Sequence, residues 1–70
     1  MVEEYDVVEL TEEITTDLKI GTRGAVVMVY PSDPPEYEVE FVNEVGETIA
    51  VRTVRGDQLR KIDVPDYPPS

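Results

Sequence analysis

Four stretches of this chain hold residues whose types and spacing suggest chemistry. Glu38 and Glu40 stand two apart, and Glu12, Glu13 and Asp17 share one short segment. Gly21 and Gly24 stand three apart, and Arg55-Gly56-Asp57 forms a triplet. Paired carboxylates do acid–base work when one of them is desolvated and keeps its proton. No nucleophile–base pair accompanies these, because the chain has neither cysteine nor histidine. The usual zinc ligands and the usual neutral-pH base are therefore missing. The acidic trio lacks the spacing of a dedicated calcium loop. The expectation is a protein that is not an enzyme and takes no metal or cofactor.

The two glycines invite a phosphate-loop reading. Such a loop needs its glycines after a strand and before a helix, with a lysine following. Here Lys19 precedes them and an apolar run, Ala25 to Tyr30, follows. The glycines instead suit positive φ or close backbone approach at the bend into a strand. The Arg-Gly-Asp triplet is read as a tight turn, with Leu59 closing the end of the core.

The chain has 70 residues, with sixteen acidic against six basic and a formal net charge of −10. That length makes one small domain. Its charge repels phosphate backbones and anionic membranes and attracts basic partners. No basic, apolar leader opens the chain, and no apolar run approaches the ~20 residues of a membrane helix. A cytoplasmic protein is the expectation.

Five short strands must position these residues. Val8 and Leu10 alternate with Glu9 in the first. Thr11 to Lys19 reads as an irregular loop pinned by Ile14 and Leu18, since its threonines and Gly21 oppose a helix. Ala25 to Tyr30, β-branched and ended by Pro31, is the second strand. Glu36 to Val42 and Glu47 to Val54 alternate as the third and fourth. Glu44-Val45-Gly46 between them fits a three-residue hairpin loop, with Gly46 left-handed. Arg60 to Val64 is the last strand, its cations facing acids of the first. Residues 1–64 form the domain, and the proline-rich 65–70 an extended tail.

A regular ladder from these turns sets Phe41 opposite Ile49, Val39 opposite Val51 and Glu38 opposite Arg52. It also sets Val29, Val27 and Ala25 opposite Tyr37, Val39 and Phe41. The expected core is Val8, Leu10, Ile14, Leu18, Ala25, Val27, Val29, Tyr37, Val39, Phe41, Ile49, Val51, Leu59 and Ile62. The outer side then carries Val26, Met28, Glu38, Glu40, Ala50 and Arg52, which are the candidate partner-binding residues. Burying the inner face requires closure, so the fold expected is all-β, a small five-stranded SH3-like barrel. It has a long first loop and a short 3-10 turn before the last strand.

Five segments carry a resemblance. Tyr5-Asp6-Val7-Val8-Glu9-Leu10-Thr11, Gly21-Thr22-Arg23-Gly24, Tyr37-Glu38-Val39-Glu40-Phe41, Glu47-Thr48-Ile49-Ala50 and Asp57-Gln58-Leu59-Arg60 resemble a family of very small uncharacterised bacterial proteins. The resemblance covers residues 5 to 62. It implies an SH3-like fold, short stand-alone chains, and an association of some members with toxin-like or phage-like partners. A looser similarity, in Gly-x-x-Gly-x-Val leading into a strand, is to KOW-type barrels that bind RNA or ribosomal protein. This chain departs from those in charge.

The function expected is an acidic protein-interaction module, antitoxin- or immunity-like, that binds a basic partner. An apolar centre with a charged rim is how interfaces are built. The same patch would serve a homodimer. The alternative is a KOW-like nucleic-acid or ribosome-associated domain, in which Lys19, Arg23, Arg52, Arg55, Arg60 and Lys61 meet phosphates and Tyr5 and Tyr30 stack bases.

Overall fold

Alternating apolar and polar side chains build the strands, and turn residues separate them. The structure, a computed structural model, describes residues 2–62. β1 spans Val7–Leu10, β2 Arg23–Tyr30, β3 Glu36–Val42, β4 Thr48–Arg55 and β5 Leu59–Lys61. A 3-10 turn, Gly56–Gln58, precedes β5, and no α-helix occurs among the described residues. The all-β expectation, with five strands, a long first loop and that short turn, matches this architecture. The expected tail at 65–70 lies outside the described residues, as does Val64.

The strands form one antiparallel sheet in the order β4-β3-β2-β1-β5. The sheet is not closed, because β4 and β5 are its two edges and do not pair. Only the 3-10 turn joins them. Five flat strands at a spacing of about 4.8 Å would hold the edges roughly 19 Å apart. Four residue steps reach at most about 14 Å. The sheet must therefore coil, bringing its edges together where the turn sits. Two hydrogen bonds to Gln58 secure that corner: the Thr11 N–H donates to its backbone carbonyl at 2.9 Å, and the Arg55 N–H donates to its side-chain oxygen at 2.9 Å.

The first loop is irregular, as expected. The Ile14 N–H donates to the Leu18 carbonyl and the Leu18 N–H to that of Thr15. Leu18 is buried by this turn, and Ile14 packs against the core. Gly21 then has φ +87°, and Gly24 lies where a side chain cannot fit. Both glycine roles inferred from sequence are thus present. The β3–β4 hairpin also turns as expected: the Asn43 N–H donates to the Glu47 carbonyl at 2.9 Å, and Gly46 has φ +87°.

The concave side of the coil holds the core: Val8, Leu10, Leu18, Val26, Tyr37, Val39, Phe41, Val54 and Leu59. Ile62, expected in the core, is only half-buried and not part of it. The other differences fall in two strands, and one kind of irregularity explains both. In β2 the register shifts between Val26 and Met28, so Val27 is an extra residue opposite β3. Val26 pairs with Val39 and Gly24 with Phe41, in place of Val27 and Ala25. In β4 it shifts between Phe41 and Val42, leaving Ile49 as the extra residue. Ala50 then faces Phe41, and Arg52 faces Val39. A one-residue slip exchanges the two faces of a strand. Val26, Val54 and the half-buried Ala50 therefore serve the core, while Val27, Ile49 and Val51 are exposed.

Two constraints on each strand force these bulges. At one end of β2, Gly24 must sit under Phe41, where a Cβ would lie 2.6 Å from the Glu40 carbonyl oxygen. At the other end the turn pairs Tyr30 with Glu36. The two registers differ by one residue, and Val27 absorbs the difference. In β4 the Asn43 turn sets one end and the burial of Val54 beside Tyr37 the other.

Candidate functional site

Residues opposite one another across a sheet share a face, so the pairings define the outer surface. One row runs Val7, Ala25, Glu40, Val51. The next is Met28, Glu38, Thr53, and beyond it lies Tyr30, Glu36, Arg55. On the other side comes Glu9, Arg23, Val42, Thr48. The face therefore has acids along β3 and apolar side chains on the two strands that flank it, β2 and β4. Met28 and Val51 are about half exposed, at 46% and 51%, and Ile49 adds 45% beside them.

Of the expected interface residues, Met28, Glu38 and Glu40 come together here. Three do not. Val26 is fully buried in the core, and Ala50 packs beneath Phe41 on the concave side. Arg52 lies opposite Val39, on the concave side at the β4 edge, and not opposite Glu38. Thr53 takes that place, its hydroxyl donating to a Glu38 carboxylate oxygen at 3.4 Å. Sequence reasoning missed Val51 and Ile49, which an unbroken alternation sends inward. The only hint is Ala50 between them, a small apolar residue that can also face the core and so leaves the choice of face open.

Electrostatics sharpen the picture. Glu38 and Glu40 are both half-buried, and neither is in an ion pair among the described residues. Three of the six cations pair with other acids. Arg60 bonds Glu9, and Lys61 lies 3.6 Å from Asp6, as the expected pairing of the last strand with acids of the first requires. Arg55 lies 3.0 Å from Asp57 and 3.7 Å from Glu12. Lys19, Arg23 and Arg52 make no ion pair among the described residues, and they sit on the loop, the outer face and the concave edge respectively. They do not form one basic patch. Partial burial, and then the Glu38 carboxylate beside it, push the Tyr30 phenol above its ordinary value.

A cleft of about 600 Å³ ends the outer face. It lies between the close of the first loop and the β3–β4 turn, with Ile20, Arg23, Val42, Glu44 and Ile49 among its walls. Among the described residues no group of three or more carboxylates converges to hold a metal, so Glu12, Glu13 and Asp17 do not form such a cluster. No helix of the described residues is long and apolar enough to cross a membrane.

Comparison with known proteins adds one assignment. A family described as a domain of unknown function, DUF4926, matches residues 4–61. The chain belongs to that family, and the match spans all five strands. No curated protein and no solved structure matches the chain significantly.

Proposed function

We propose that this member of the DUF4926 family is a non-catalytic interaction module whose outer sheet face binds a basic protein. One observation carries the reading: Glu38 and Glu40, half-buried and without a cation within 4.0 Å among the described residues, lie between the exposed apolar side chains of Met28 and Val51. A lysine or arginine fits that pattern twice over. Its methylene stem lies on an apolar flank while its head meets a carboxylate. The net charge of −10 speeds encounter with such a partner at low salt.

The same reading takes the coiled sheet as an SH3-like half-closed barrel, which the strand order and the 3-10 turn support. An antitoxin- or immunity-like role, in a bacterial cytoplasm, fits a face of this kind, since covering a cationic active surface needs acids and a greasy flank together.

The test is titration with a lysine-rich amphipathic peptide, followed by amide shifts. Shifts confined to β2, β3 and β4, lost in the Glu38→Gln/Glu40→Gln variant and in Met28→Lys, are expected. Equal shifts around Glu12, Glu13 and Asp17 would reduce the acidity to diffuse attraction and overturn the reading.

A further inference from the structure

We infer that the cleft at the end of the outer face receives the C-terminal residue of a bound peptide, its apolar side chain between Ile20 and Ile49 and its carboxylate on Arg23. This rests on the outer face being the binding face, and it gives the partner a direction and an end.

The cleft's volume, about 600 Å³, falls in the ordinary range of ligand sites, roughly 300–1,000 Å³. Its apolar walls are unusually exposed for their type: Ile20 is 70% exposed and Ile49 45%. Most polar groups in the cleft are already engaged. The Asn43 carboxamide oxygen accepts from the Val45 and Glu47 N–H groups, at 3.1 and 2.9 Å, and the Thr22 hydroxyl donates to the Lys19 carbonyl at 2.7 Å. Arg23 and Glu44 remain. Glu9 lies across from Arg23 in the sheet, but its carboxylate is bonded to Arg60. Arg23 is thus a cation without a carboxylate within 4.0 Å among the described residues, in a chain otherwise dominated by acids.

An apolar wall beside one free guanidinium asks for an apolar group and an anion close together. A C-terminal apolar residue supplies both from a single carbon. A guanidinium meets a carboxylate with two parallel N–H donors, which favours that group over a lone oxygen. Glu44 and then Glu40 and Glu38 suit basic residues upstream of that end. The charges along the face, acidic from Glu38 through Glu40 to Glu44 and cationic only at Arg23, therefore match a peptide that is cationic first and apolar and anionic last.

The experiment compares two fluorescein-labelled peptides at low salt by anisotropy. Both carry lysines followed by a C-terminal leucine and isoleucine; one ends in a free acid, the other in an amide. Diffuse attraction to an acidic chain favours the amide, which carries more positive charge. The inference requires the opposite sign, the acid binding about tenfold tighter. Arg23→Gln should remove that preference and leave the amide's affinity unchanged, and Ile20→Ser should weaken both. An amide that binds as well as the acid, with both lost in Met28→Lys, overturns the cleft assignment and leaves the outer-face reading standing. An acid preference that survives Arg23→Gln also overturns the assignment. Absence of binding by either peptide would sink both readings together.

Discussion

Gly24 lies directly under Phe41, so close that a Cβ on Gly24 would stand 3.1 Å from the Phe41 Cα, 2.7 Å from a Val39 methyl and 2.6 Å from the Glu40 carbonyl oxygen. Two of the three obstacles are backbone, which cannot swing aside. Gly24→Ala should therefore force β2 and β3 apart and destabilise the fold by about 1–3 kcal/mol or more, as overpacking does. Gly21 is open around its Cβ, so the test separates close approach from turn geometry. Urea unfolding of the two alanine variants measures the difference. A Gly24→Ala domain as stable as the parent would contradict the packing.

The two bulges predict a reversal of what alternation alone implies. Val26→Ala removes methyl groups from a fully buried site and should cost about 1.5–3 kcal/mol. Val27→Ala, one residue on and partly in water, should change stability by no more than about 0.5 kcal/mol. Val54 and Val51 form the same contrast in β4. A regular ladder requires Val27 and Val51 to be the costly pair, so denaturation midpoints decide between the two registers.

That contrast also marks how far the fold is legible in the chain. Turn chemistry is local, and it shows. Asn43 to Glu47 with Gly46, the Pro31 to Pro35 corner and the glycine-led bend into β2 all stand where residue types place them. Strand identity shows too, because β-branched alternation is local. A bulge is not local. It arises when the registers set at the two ends of a strand disagree by one, and only the packing of Gly24 under Phe41, or of Val54 beside Tyr37, sets the far register. In runs such as Ala25-Val26-Val27-Met28-Val29 both faces are apolar, so hydrophobic patterning cannot choose between them. The acids on β3 are legible because Glu38 and Glu40 alternate with Tyr37, Val39 and Phe41. Their flanking partners, Val51 and Ile49, are not, because the bulge decides their face.

The β3–β4 turn predicts a graded effect at Gly46. Its φ of +87° is left-handed, and the Asn43 side chain holds the loop by accepting from two N–H groups. Gly46→Ala should cost about 1–2 kcal/mol, the penalty of an L-residue in that region. Gly46→Asn should cost less, since asparagine tolerates it. Among the described residues nothing lies within 4 Å of the missing Cβ, so the loss is conformational and not steric. Equal costs for alanine and asparagine, measured by thermal unfolding, would contradict the turn geometry.

Charge pairs at the β1–β5 seam are expected to contribute little. Arg60 meets Glu9 and Lys61 approaches Asp6 with the cationic side chains 71% and 48% exposed above carboxylate side chains that are only 15% and 19% exposed. With the cationic ends in water, such pairs are worth about 0–1 kcal/mol and fade with salt. A double-mutant cycle on Glu9→Gln and Arg60→Gln should return a coupling in that range at low salt and less at high salt. A larger coupling that ignores salt would mean the seam is held by the ion pair and not by Leu10 packing on Leu59.

Tyr30 offers a reporter on the outer face. Its phenol is raised first by partial burial and then by the neighbouring Glu38 carboxylate, which opposes a second negative charge. A raised folded value means that the folded state holds the proton more tightly than the unfolded chain. The associated stability is complete below the unfolded phenol range and is lost as pH rises through the folded value. Glu38→Gln should lower the Tyr30 midpoint part of the way to its ordinary value, since burial remains. A bound arginine, which stays charged in that pH range, should lower it in the same direction by neutralising Glu38. Titration of the Tyr30 ring carbon followed by NMR, with and without an arginine-rich peptide that keeps its charge in that pH range, reads both effects. A Tyr30 midpoint indifferent to Glu38→Gln would remove the carboxylate from its side, and one indifferent to peptide alone would place the cation elsewhere on the surface.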